Sequence, residues 1–432
     1  MPAWIQDGKT LNEPLFCEEF LANRKIKCIN DIFIGTDGEI SESSLSAEIC
    51  GIIGKYIKSG LAKKTENIIK YLKLRCFENE MTVSDKEIHL LNGVLFTDGS
   101  FLPAKRFCTN RLNVNFMTQK YLTEHRPDNF MKFLGELLEP DDILTLQEYL
   151  GYCLIPTTAA QKALFIIGNG GEGKSCIGIV LSAIFGDSMV SGNFQSIETD
   201  RFSRYKLCNK LLMIDDDMQM TALPSTGIIK NLITSQIPVE VEAKGKQSRQ
   251  VKLYSRFLCF GNGSPRSLYD KSDGFVRRLL ILTTKPVPKD RVTDPNITDR
   301  FIAEKDMIFM WMFEGLCRLL SNNFIFTVSE KTAGNMNELA AENCNISEFL
   351  NDETFIAFGD DYTVSSNELY GGYFQWCTMN GLTALKQETF IGWLKSNSLK
   401  YKISYSYNVI NSQNKRVRGF KGIRTSFKSI AA

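Results

Sequence analysis

Histidine is nearly missing from this sequence: His89 and His125 are the only two in 432 residues. Chemistry built on a histidine base or a histidine-rich metal centre is therefore not expected, and both rings read as structural. Twelve cysteines are present, but no two stand in a C-x-x-C pair. That argues against zinc and fits reduced, buried thiols in a cytosol. No apolar run approaches the ~20 residues needed to cross a membrane. The opening segment Met1–Asp7 lacks the basic-then-apolar layout of a signal peptide. The expectation is a cytoplasmic protein with no membrane partner. Charge excess is missing too, since the formal net charge is only +2. Internal repeats and low-complexity segments are also lacking.

What is there begins with an ordinary globular balance, 43% hydrophobic and 23% charged residues, at a length suited to about three domains. One stretch stands out. Gly168-Asn169-Gly170-Gly171-Glu172-Gly173-Lys174-Ser175 satisfies the phosphate-loop pattern G-x-x-x-x-G-K-[ST]. Ala163–Ile167 before it reads as a buried strand, and Ile177–Phe185 after it as a helix with apolar positions Ile177, Val180, Leu181 and Ile184. In that context backbone amides converge on phosphates and the helix N-terminus adds partial positive charge. The reading is a nucleoside triphosphate site formed by Gly168–Ser175 with Cys176. Lys174 neutralises phosphate oxygens, and the Ser175 hydroxyl serves a Mg²⁺ ion. ATP and Mg²⁺ are the expected cofactors.

A second signal lies 41 residues beyond Lys174, where Leu211-Leu212-Met213-Ile214 runs into Asp215-Asp216-Asp217. Acids at the carboxyl end of a buried strand in an open α/β sheet face the ligand crevice. Asp215 is the expected metal-shell residue and Asp216 the one that polarises the attacking water, with Asp217 as substitute. A third strand, Phe257–Phe260, leads to Asn262, whose amide can touch the γ-phosphate or the lytic water. Fifteen residues further on come Arg277 and Arg278, just before the strand Leu279–Leu282. They read either as surface salt-bridge residues or as an arginine finger reaching a neighbouring subunit.

Between the second and third strands, Val239–Leu253 alternates on both sides of a Gly-containing basic centre, which predicts a β-hairpin carrying Lys244, Lys246 and Arg249. Such a hairpin suits a phosphate backbone. Charge is also concentrated at the end: from Lys386 onward, seven Lys and three Arg face one Glu. Ser365-Ser366-Asn367-Glu368 is a capping-box helix start, Lys386–Asn397 a second helix, and Tyr401–Arg424 a basic hairpin. Lys395, Lys415, Arg416 and Arg418 would meet phosphates there and set register more than sequence. The expected organisation is α/β with a parallel-sheet core: a mostly helical region over 1–135, the core over 136–325, and a linker with a final DNA-binding unit over 326–432.

This ordered series resembles the superfamily 3 helicases, AAA+-type ATPases of viruses, phages and plasmids, and most of all the branch shared with poxvirus primase-helicases. The resemblance covers about residues 85–430. Asn92–Leu95 and Leu146–Tyr152 are similar to the family's domain preceding the ATPase, and Lys230–Lys252 to its DNA-hairpin motif. Asn262 corresponds to its polar sensor and Gly274–Arg278 to its arginine-finger segment. Two positions depart from the family: Glu172 stands where Asn is frequent, and Asp216 where Glu is frequent. The resemblance implies an AAA+-like P-loop core, ATP sites between subunits of a homo-oligomer, a hexameric ring, and translocation on single-stranded DNA. It also implies a winged helix at the end, and a separate primase or initiator as partner. Only about 85 residues precede the recognisable region, so no primer synthesis is expected of this chain.

The leading functional expectation is an ATP-dependent replicative DNA helicase of a mobile element acting on single-stranded and forked DNA. An origin-melting, DNA-binding ATPase without processive unwinding is the alternative. A small-molecule P-loop kinase is a third reading, against which the basic hairpin and basic final unit weigh.

Overall fold

The computed structural model describes residues 1–426 apart from 8–9, 80–82, 119–124, 219–225, 235–236, 246, 264–274, 276, 288–293, 343–344, 383 and 412. The chain forms two compact units: Met1–Pro265 with Arg277–Asn335, and Met336–Ala432 with Arg266–Val276.

The first unit opens with strands β1 (Ile5–Gln6) and β2 (Thr10–Leu11), helix α1 (Glu13–Asn23), and an antiparallel sheet of β3 (Ile26–Ile29), β4 (Ile32–Gly35) and β5 (Gly38–Ile40). Helices α2 (Glu42–Ile53) and α3 (Leu61–Arg75) follow, then a second antiparallel sheet of β6 (Glu87–Leu90), β7 (Gly93–Phe96) and β8 (Phe101–Leu102). The tight turn and short strand that Leu90–Phe96 reads as from sequence are the Leu91-Asn92 turn and β7, whereas the β3–β5 sheet goes beyond the helices and polar turns expected there. β3 and β4 are joined by Asn30 and Asp31 at φ 50° and 65°, a two-residue turn of the kind that matches strand twist. Trp4, Phe16, Phe33, Leu45, Ile68 and Leu72 form the core of this region.

Helices α4 (Asp128–Leu137) and α5 (Pro140–Tyr152) lead into the central sheet, with Pro140 at the first turn of α5, where its missing N–H does no harm. The sheet comprises β9 (Ala163–Gly168), β10 (Met189–Ser191), β11 (Leu212–Met218), β14 (Arg256–Asn262) and β15 (Leu279–Thr283), in the order β10-β11-β14-β9-β15. Every pairing is parallel. All six residues of β9 are buried, the near-continuous apolar run of a strand covered on both faces. Between these strands lie α6 (Lys174–Phe185), the short α7 (Ser196–Thr199) and α8 (Arg201–Tyr205), α9 (Gly227–Thr234), and the antiparallel hairpin β12 (Val239–Val241)–β13 (Arg249–Val251). Helices α10 (Ile297–Ala303) and α11 (Lys305–Ser321) close the unit.

Helix α11 lies against α5 with glycines at the crossing. A Cβ on Gly151 would stand 2.4 Å from the Leu316 nitrogen, and one on Gly315 would stand 2.3 Å from the Gln147 oxygen. Tyr149 of α5 donates to the Phe257 carbonyl on β14 at 2.6 Å, tying this helix pair to the sheet. Glu148, buried, takes Arg318 Nε at 2.6 Å and the Thr327 amide at 2.7 Å. Asp142 accepts from Ser329 at 2.5 Å and Thr332 at 2.8 Å. These bonds secure residues 326–335 to the first unit.

The division between units falls inside α12 (Glu330–Glu342). The second unit then runs α13 (Asn345–Asn351), β16 (Ile356–Ser365), α14 (Ser366–Met379), α15 (Gln387–Ser396), β17 (Ser404–Ile410) and β18 (Arg416–Thr425). Its antiparallel sheet has the order β16-β18-β17. Ser365 caps α14 with the reciprocal bonds of a capping box, Glu368 N to Ser365 Oγ and Ser365 N to Glu368 Oε2, each 3.1 Å. Phe349, Leu369, Tyr373, Trp376, Phe390 and Phe420 are central to its core.

Candidate functional site

The glycine loop leaves the carboxyl end of β9, which is flanked by β14 and β15. Gly170, Gly171 and Gly173 hold φ of 103°, 82° and 94°, values that side-chain-bearing residues rarely adopt. They bend the chain so that successive amides turn inward before α6 begins at Lys174. Gly168 has a different need: a Cβ there would sit 2.6 Å from Thr284 Oγ1 and 2.7 Å from the Glu172 carboxyl.

The inward amides hold an oxyanion belonging to the chain itself. Glu172 Oε1 accepts from the Asn169 amide and from the Gly170 amide at 2.9 Å. Its Oε2 takes Lys174 Nζ at 2.7 Å. Both side chains are almost fully buried, with 4% and 8% of their surface exposed. Burial pushes the Glu172 carboxyl up, but the bonds from Lys174 and the loop amides outweigh it and leave it below its ordinary range. Lys174 also donates to Asn262 Oδ1 at 2.9 Å. Asn262 ends β14 directly opposite Gly168, and the Gly263 amide bonds the Gly168 carbonyl at 2.9 Å. The loop, Lys174 and Asn262 thus form one assembled cluster.

The acids behave unequally. Asp215 is buried, and its Oδ2 accepts from the Phe194 amide at 2.7 Å. Burial raises its carboxyl above the ordinary value, with the Phe194 amide opposing. Asp216 and Asp217 are exposed. Asp216 faces α6, its Oδ1 lying 3.8 Å from where a Gly178 Cβ would be. Ser175 is exposed on the first turn of α6, with Cys176 half-buried after it.

Arg277 and Arg278 are not brought to this cluster. They precede β15 at its amino end, where the Arg278 carbonyl accepts from Ala163 at 2.8 Å. Ala163 and Gly168 bound β9, a span of about 16 Å at ~3.3 Å per residue. Within one chain these arginines therefore mark the opposite edge of the sheet.

The hairpin forms as expected, with Val241 opposite Arg249. Its acidic strand is rooted by Arg201 Nε on Glu242 at 2.5 Å and Arg204 Nε on the Glu240 carbonyl at 2.9 Å. Lys244 is exposed at the tip beside Gly245, whose φ is 76°. Lys246 lies outside the described residues. Arg249 stands apart from the tip, lining a cleft of about 1010 Å³ with Asn30, Cys208 and Tyr254.

In the second unit a cleft of about 870 Å³ between α14, α15 and the β17–β18 sheet is lined by Lys395, Arg418 and Tyr405, with Glu368 and Glu388 as its acids. Lys395 Nζ lies 3.7 Å from the Tyr405 ring centre, and the Arg418 guanidinium 5.6 Å from that of Tyr407, which is 68% exposed. Lys415 and Arg416 are exposed where the turn enters β18.

Chemically, the loop can hold an anion, because two amides and an ammonium already converge on a carboxylate. A triphosphate fits these donors once Glu172 leaves them. Among the described residues no group of three or more His, Cys, Asp or Glu could hold a metal ion. Ser175 and Asp216 fit Mg²⁺ only as a minority of its shell, which suits an ion that takes further oxygens from phosphates. Sequence reasoning placed Glu172 in the loop but did not foresee its carboxylate turned inward. An acid inside an anion-binding loop was the available signal.

A family profile described as a family of unknown function, DUF5906, matches residues 166–278, from β9 through the hairpin to Arg278. No curated protein matches the sequence. Solved structures do match in fold. The apo structure of the NrS-1 C terminal region (305-718) aligns with a TM-score of 0.53 at 13% identity, covering 96% of this chain and 100% of that one. The A form apo structure of the same region aligns at 0.51 and 14% identity, covering 95% and 99%. At such identity the likeness is one of fold. Among the described residues no helix is long and apolar enough to cross a membrane.

Proposed function

We propose that this chain is an ATP-dependent DNA helicase of superfamily 3 type, serving replication of a phage, plasmid or other mobile element. The observation that carries the reading is the loop cluster: amides and Lys174 gathered on an oxyanion, with Asn262 in contact and Asp216 on the same sheet edge. ATP with Mg²⁺ supplies the phosphoanhydride whose cleavage drives movement. Lys174 neutralises phosphate oxygens, Ser175 and Asp216 serve the ion and the attacking water, and Asn262 holds Lys174 in line. Asp215 shapes the turn at Phe194. Arg277 and Arg278, far from their own loop, fit a role toward the site of an adjacent subunit, which supports a ring with shared sites.

Single-stranded DNA is the proposed track, gripped by Lys244 at the hairpin tip. The α–β–α–α–β–β order of the second unit supports a winged helix that meets phosphates through Lys395, Lys415, Arg416 and Arg418. The test compares Lys174→Ala and Lys244→Ala in ATP hydrolysis and in strand displacement on forked DNA. Lys174→Ala abolishes both; Lys244→Ala keeps basal hydrolysis and loses displacement. DNA-stimulated hydrolysis without displacement in the wild-type chain would replace the helicase by an origin-melting ATPase.

A further inference from the structure

Glu172 occupies the place where a phosphate would bind. Its two carboxylate oxygens take the Asn169 and Gly170 amides and the Lys174 ammonium. These are the donors that an anionic ligand of the loop requires, and the Glu172–Lys174 pair among them is buried. Two anions cannot share them, because like charges at hydrogen-bonding separation strongly disfavour each other.

We infer that Glu172 is a built-in phosphate surrogate: in the nucleotide-free chain its carboxylate fills the cradle, and a triphosphate binds only by exchanging with it. This rests on the nucleotide reading of the loop. The exchange has a clear physical balance. With Glu172 in place, buried Lys174 keeps an opposite charge and the loop amides keep an acceptor, so the cradle stays formed without ligand. On binding, phosphate oxygens take over those bonds and the Glu172 carboxylate turns out to water. Gly171 and Gly173, at φ 82° and 94°, flank Glu172 on both sides. Residues without a Cβ on either side let that turn reorient with little steric resistance.

Affinity is therefore lowered by the free energy of the internal bonds, and selectivity falls on the phosphates. Pyrophosphate should exchange with Glu172, and a nucleoside without phosphates should not.

The experiment titrates the full chain and its Glu172→Ala and Glu172→Gln variants with a fluorescent ATP analogue and, separately, with pyrophosphate. Thermal melts with and without each ligand accompany the titrations. Both variants should bind both ligands about tenfold more tightly, the factor that ~1.4 kcal/mol represents. Glu172→Ala should also melt lower than wild type without ligand and show a larger ligand-induced rise. Gln keeps the shape of the loop, so the comparison stands if the alanine variant folds poorly. Wild-type binding with equal or weaker binding by the variants would overturn the exchange while leaving the nucleotide reading intact. Failure of every chain, wild type included, to bind either ligand would overturn both.

Discussion

Replacing Gly151 or Gly315 by alanine should pry apart the two helices that support the central sheet. The atoms in the way are backbone: Leu316 N and Met312 O at 2.4 Å for Gly151, and Gln147 O at 2.3 Å for Gly315. No rotamer change relieves such a clash. Ordinary carbon contacts begin near 3.4 Å, so the axes must separate by about 1 Å, as steric radii demand. Overpacking costs about 1–3 kcal/mol, and a backbone clash that no rotamer relieves belongs in the upper part of that range, about 2–3 kcal/mol. Alanine's better helix propensity returns about 1 kcal/mol. The expected net loss is about 1–2 kcal/mol per substitution, less than the gross penalty. The sharper expectation concerns the pair. Both glycines serve one crossing, so once one alanine has opened it the second finds space. The double variant should lose little more than the worse single, a coupling of about 1 kcal/mol. Urea unfolding of the four chains, with amide exchange in α5 and α11, measures this. Additive losses, or singles each below about 0.5 kcal/mol, the range of ordinary surface changes, would refute the close-approach argument.

His89 gives a pH dependence. Burial, then the charges of Arg111 and Arg106, pull its pKa down from 6.5 to about 4, so Glu87 at 3.6 Å is not an ion-pair partner near neutral pH. Above 6.5 both folded and unfolded chains hold it neutral; as pH falls from 6.5 to 4 only the unfolded chain gains the proton. Stability should fall by up to about 3 kcal/mol across that window, and His89→Leu should flatten that limb in urea midpoints taken at pH 7 and 4.5. Glu304 caps α4 from a distance, taking the Asn129 and Phe130 amides at 3.1 Å each, where Pro127 offers no side-chain cap. Glu304→Ala should cost about 1–2 kcal/mol and speed exchange in the first turn of α4; unchanged exchange would remove the capping role. Lys395→Ala and Arg418→Ala should each lower the salt slope of single-stranded DNA binding by about 0.7 for every phosphate no longer neutralised. Unchanged slopes in filter-binding titrations would place the DNA elsewhere.

Four strands of the central sheet, β9, β11, β14 and β15, were legible because they are mostly buried apolar runs, whereas the half-exposed β10 was not read. Ala163–Gly168 and Leu279–Thr283 are short apolar runs without alternation. The hairpin and the α14 cap were legible for the converse reason, since local chemistry specifies them. Of the amino-terminal sheets only the turn and strand within Leu90–Phe96 were legible, through Asn92-Gly93. The strands of β3–β5 were not, because three or four residues are too short to show a period, and the Asn30-Asp31 turn lacks the usual glycine. β16 hid for another reason: its register shifts between Phe358 and Thr363, and Gly359-Asp360-Asp361 breaks the alternation. At the loop, spacing identified the residues but not the direction of their side chains. Asp215 and Glu172 both turned to backbone amides, a choice made by three-dimensional neighbours such as Phe194 and Gly170.

The base of the loop is clamped from both sides. Beyond the paired strands, the Gly263 amide bonds the Gly168 carbonyl and the Thr284 amide bonds the Ile167 carbonyl, each at 2.9 Å. The last residues of β9 therefore have no freedom to swing, and the moving part of the cradle is small: one carboxylate between two glycines. Side-chain and short-turn rearrangements run on picosecond to microsecond timescales, far faster than lid opening. Nucleotide should accordingly arrive in a single fast phase, with occupancy set by how quickly it departs rather than by a slow gate.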